Sequence, residues 1–134
     1  MDLVEEVLAD GLRDAPDGSG DPLDRAEQAL RTYLDLLIEH RPFARLVLVE
    51  SHAAGPEALQ RRARLQARVA DGLARTLGAR GEQGAFACKA FVAAIASLVA
   101  LPIVTGDDDA LRALRQPLVD HLRLLTRALD LPAP

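Results

Sequence analysis

The stretch 85–104, AFACKAFVAAIASLVALPIV, carries a single charge, Lys89, and puts apolar residues on every helical face. A helix that is apolar all round has to be covered on both sides. One side can pack on its own subunit, and something else must cover the other. The length raises the thought of a membrane span. Lys89, Ser97 and Pro102 interrupt it, however, and the clean run from Ala90 to Leu101 is about 12 residues, short of the ~20 that a span requires.

The rest of the chain says what kind of fold holds this helix. Aromatics are 3% of the residues (Tyr33, Phe43, Phe86 and Phe91), with no Trp, and alternating apolar/polar runs are absent. A sheet has little to be built from. Ala, Leu, Arg and Glu instead favour helix, so the expected fold is all-α. At 134 residues, 49% of them hydrophobic, the chain is one domain, 1–134, with enough apolar matter for a core.

Periodicity predicts a short helix over 2–13, broken by the turn-forming run 14–20. Asp21-Pro22 opens the next helix as cap and first residue. It runs to about His40, with Leu23, Ala26, Leu30, Leu34, Leu37 and Ile38 inward and Glu27–Arg31 as a solvated pair. Short 43–53 and longer 56–77 helices follow, each after a proline, and Gly78 stops the second. The run 78–84 reads as a loop. A last helix over 110–129 carries the stripe Leu111, Leu114, Leu118, Leu122, Leu125 and Leu129, preceded by Asp107, Asp108 and Asp109 where a helix N-terminus favours acids. Pro117 should kink this helix or mark its effective start.

Charge and motifs narrow the function by exclusion. Twenty acids against 16 bases give a net charge of −4, so nothing draws the chain as a whole to nucleic acid or an anionic membrane. The acidic opening residues do not suit a secretion signal, and the expected location is cytoplasmic. The lone Cys88 forms no disulfide framework, and its apolar helix suggests plain packing. His40, His52 and His121 lack metal-ligand spacing, and Ser51 and Ser97 lack a nucleophile elbow. No catalytic constellation, metal or cofactor is expected. The run Arg61-Arg62-Ala63-Arg64-Leu65-Gln66-Ala67-Arg68 reads as a solvated face, offset by Glu57–Arg61 and Asp71–Arg75 pairs.

The segments ALRTYL (29–34), EHRPFARLVLVE (39–50) and GPEAL (55–59) resemble the C-terminal domain of TetR/AcrR-type transcriptional regulators. The order of helices (short, long, short, long, then two closing ones) agrees with it. The resemblance implies an all-α, six-helix regulatory domain whose last two helices dimerise as a four-helix bundle, while the preceding helices enclose a small-molecule pocket. It also implies an N-terminal helix-turn-helix of about 45–50 residues that these residues do not contain. Residues 1–8 look like the segment that follows it. DNA contact is therefore expected only through that missing part. The alternative is a headless relative that heterodimerises with a full-length regulator and titrates it.

Site residues follow from this resemblance and the helix faces together. Phe91, Ile95, Leu98, Leu114, Leu118, Leu122 and Leu125 are expected in or under the dimer seam, with Glu at Leu118 or Leu122 expected to break it. Tyr33, Leu37, Phe43, Val47, Gln66, Val69, Phe86 and Cys88 are expected around the pocket, Tyr33 and Gln66 orienting the ligand. The scarcity of aromatics favours an aliphatic pocket and a lipophilic effector, such as an acyl chain.

Overall fold

The computed structural model describes residues 21–53 and 55–130, with the side chains of Val47, Glu50, residues 51–53 and Asp130 outside that description. The helix expected over 2–13 and the break at 14–20 also lie outside the described residues. Those described are all-α, with no strand among them. The helices are α1 (Pro22–Glu39), α2 (Arg41–Ala53), α3 (Pro56–Leu77), α4 (Gly81–Thr105), α5 (Asp108–Ala113) and α6 (Arg115–Asp130).

The ends are set by local chemistry. Asp21 caps α1, its side chain accepting from the Leu23 amide at 3.4 Å, with Pro22 in the first turn. Gly78 and Gly106 close α3 and α4 in left-handed geometry, at φ 69° and 70°. Behind each, the next amide reaches back five residues, Ala79 to the Ala74 carbonyl and Asp107 to the Pro102 carbonyl, both at 2.9 Å. This is the Schellman closure that glycine makes cheap. Asp107 caps α5 by accepting from the Ala110 amide at 3.0 Å.

Two boundaries differ from the sequence expectation. Residues 81–84, expected in a loop, already belong to α4. Gly84 is buried there, close against Ala79, so packing contact overrides the glycine's weak helix propensity. The closing helix is split at Leu114 rather than continuous. Pro117 then falls in the first turn of α6, where a missing N–H costs no helix bond.

Packing is concentrated on α4. Its main neighbour is α3, with α2 also against it, while α1 bridges α3 and α6. The core joins Ala26, Leu30, Leu34 and Leu37 of α1, Ala70 and Leu73 of α3, and Cys88, Phe91, Val92, Val99 and Ile103 of α4. Leu111, Leu118, Val119 and Leu122 complete it. Two ion pairs tie distant segments: Arg41 at the start of α2 to Asp108 at the start of α5, and Arg123 of α6 to Glu27 of α1 at 2.7 Å. Glu27 is not the solvated residue its helical pairing suggested. It is buried, with Arg31 3.9 Å away on its own helix, because α6 lies over that face of α1.

Candidate functional site

Between α1, α2, α3 and α4 the helices leave a cavity of about 210 Å³, with Leu122 of α6 closing part of it. An engineered apolar cavity of ~150 Å³ already accepts benzene, so this one has room for a small molecule. Helical arithmetic builds its walls. On α1 the row Ala26, Ala29, Leu30, Tyr33 and Leu37 recurs at three- and four-residue steps, and on α3 so does the row Arg62, Leu65, Gln66, Val69 and Leu73. Ala44 and Leu48 come from α2, and Phe91, Val92, Ile95, Ala96, Val99 and Ile103 from α4.

Of the expected pocket residues, Tyr33, Leu37, Gln66 and Val69 line this cavity. Val47 is on α2, its side chain outside the described residues. Phe43 and Phe86 do not line it. Phe86 is 70% exposed and Phe43 39%. Phe86 precedes Phe91 by five residues, which turns it to the far side of α4. Cys88 is fully buried in the core but is not in the cavity wall. Burial pushes its thiol pKa up, which disfavours the reactive thiolate.

The expected dimer residues are redistributed as well. Phe91 and Ile95 face the cavity inside the subunit, and Leu122 lies both there and in the core. Leu118 is buried in the same core, while Leu114 and Leu125 pack partly against it. The leucine stripe is thus satisfied within one subunit, because α6 lies on α1. Leu98 alone among them is well exposed, at 48%, beside Leu101 at 71% and Val104 on α4. Leu124 on α6 is exposed too. The residues missed were those on the far side of α4, and a helical wheel centred on Leu98 would have found Leu101. His121 lies between these surfaces, its ring stacked on Phe91 at 5.7 Å.

The cavity's polarity is one-sided. Its polar lining residues are Tyr33 on α1 and Arg62 and Gln66 on α3; every other lining residue is apolar. Burial pushes the Tyr33 phenol up to about 12, with the nearby Arg62 charge pulling the other way. Arg62 was expected in a solvated run. Arg61, Arg64, Arg68 and Arg75 are indeed exposed, but Arg62 turns inward. It stands four residues before Gln66, so the spacing that turns Gln66 inward turns Arg62 with it. Neither Glu57–Arg61 nor Asp71–Arg75 closes to an ion pair. Among the described residues, no group of three acids, histidines or cysteines is placed to hold a metal ion.

By length and composition α4 could cross a membrane, with a mean hydropathy of 2.2. No family model, no curated protein and no solved structure matches the chain.

Proposed function

We propose that this chain is the effector-sensing and dimerisation domain of a TetR-like transcriptional regulator, which binds a small lipophilic molecule. The cavity carries this reading. A solid helical bundle of this size fills its interior, whereas here four helices stop short of one another around apolar walls. A ligand that favours one spacing of these helices would bias whatever DNA-reading part the full regulator carries. The exposed apolar side of α4 supports the dimerisation half of the reading, since an apolar face left open on one copy is what a second copy covers.

The test is a thermal-shift screen of the 134-residue chain against single-chain and single-ring lipophilic compounds. Selective binders should raise the melting temperature in proportion to the logarithm of their concentration. An Ile95→Trp substitution, which fills the cavity, should abolish the shift while the helical signal is kept. If no compound in the screen stabilises the wild-type chain, the sensor reading fails.

A further inference from the structure

We propose that the cavity takes a single-chain amphiphile with a carboxylate head, the head held by Arg62, Gln66 and Tyr33 and the tail lying along α4. This inference rests on the sensor reading above and specifies its ligand.

The polar groups come from α1 and α3, whereas α4 contributes only apolar residues to the lining. Arg62 and Gln66 are one helical turn apart on α3, and Tyr33 is close enough to Arg62 to sense its charge. The α4 wall runs from Phe91 to Ile103, about 18 Å along the helix at 1.5 Å per residue. A cavity of about 210 Å³ bounded by such a wall has little room to spare. It suits one flexible chain better than a fused-ring compound or a two-chain lipid.

The charge of the head follows from the lining. One cation and no acid face the cavity, so a monoanion is matched, and a cationic head would meet only repulsion. Among the described residues, no hydrogen bond to protein engages the side chains of Arg62, Gln66 or Tyr33. Guanidinium, amide and phenol are all donors, and a carboxylate has two oxygens to accept from them. A purely hydrocarbon ligand would leave all three unpaired, the condition under which a polar site rejects a ligand. A carboxylate is costly to desolvate and tolerable only when paired, and Arg62 supplies that pairing.

Binding of octanoate and of 1-octanol to the 134-residue chain at neutral pH, followed by calorimetry, tests this. Wild type should bind octanoate at least about tenfold more tightly than the alcohol, the scale of a charge-assisted hydrogen bond. Arg62→Met should remove that advantage by weakening octanoate far more than octanol, and Arg62→Lys should restore part of it. Gln66→Leu gives a second variant with the charge intact, in which octanoate should weaken several-fold. If octanol binds as well as octanoate in wild type, or Arg62→Met leaves the ratio unchanged, the assignment of the head is overturned and the apolar sensor stands. If neither binds and the wider compound screen is also silent, both readings fall.

Discussion

The two sides of α4 have nearly the same composition and opposite situations. Toward α1 and α3, Phe91, Val92, Val99 and Ile103 are buried around the cavity; on the far side Phe86, Leu98, Leu101 and Val104 face outward. Hydrophobicity alone cannot tell these sides apart, because each of these two sets holds one Phe and three aliphatic residues. What separates them is the neighbourhood. The inner side meets a wall containing three polar groups, whereas the outer side is left exposed among the described residues. The same residue types thus build a cavity wall on one side and an exposed face on the other.

Substitutions should divide the two sides sharply. Phe91→Ala removes a ring from the core and the cavity wall, and should cost about 3–5 kcal/mol in chemical denaturation. A cost below about 1 kcal/mol would mean that the inner side is no better packed than the outer one, and the comparison would collapse.

The wall opposite the inner side can be read by pH. Tyr33 is the sole tyrosine and there is no Trp, so tyrosinate absorbance reports this one group. Its pKa is raised on folding from the ordinary 10.0 to about 12, so the folded state holds the proton more tightly. Stability is unaffected below pH 10 and lost progressively as pH rises from 10 toward 12, by about 2–3 kcal/mol in all. Tyr33→Phe should flatten that loss. A tyrosine titrating near 10 in the folded chain would place the phenol in open water instead.

Thiol chemistry gives a smaller but position-specific contrast. Cys88 is fully buried on the inner half of α4, with its thiol pKa raised. It should react with a thiol reagent at least about tenfold more slowly in the folded than in the unfolded chain. With Cys88 replaced by Ala at a cost of about 1 kcal/mol, a Leu101→Cys thiol should label freely in dilute protein. It should become protected as protein concentration rises, if a second copy covers the outer side. Protection by lipid vesicles rather than by concentration would assign that side to a membrane.

The smallest effect on the single subunit is expected from Leu98→Ser with Leu101→Ser, within about 0.5 kcal/mol. The same pair should nevertheless move the chain from dimer to monomer in sedimentation. A wild-type chain that is monomeric at micromolar concentration would remove the second copy from the account.

Much of the fold was legible from local signals. Asp21-Pro22, Gly78 and the acids from Asp107 each mark a helix end through chemistry confined to a few neighbouring residues, and such signals survive in any context. The inward rows on α1 and α3 were legible for the same reason, as Tyr33, Leu37, Gln66 and Val69 show. Which of two apolar surfaces covers another was not. The α6 stripe looked available to a partner because periodicity reports that a side is buried, not against what; α1 is the answer for Leu118 and Leu122. Arg62 was overlooked because its neighbours in sequence are exposed arginines, and a run of like charges hides the one member whose angle differs.

Leu122 has a consequence for the order in which this molecule comes into being. It closes part of the cavity, yet it arrives on the last described helix, and the Arg123–Glu27 contact beside it spans 96 residues of chain. During synthesis α1 emerges before α6, so the wall that Leu122 supplies does not exist until α6 has followed. Closing so long a loop is also the slow part of folding, because its entropy is lost before the contact repays it. A ribosome-bound chain stalled before Leu122 would therefore expose the α1 face, and the cavity would gain its Leu122 wall only once α6 had docked.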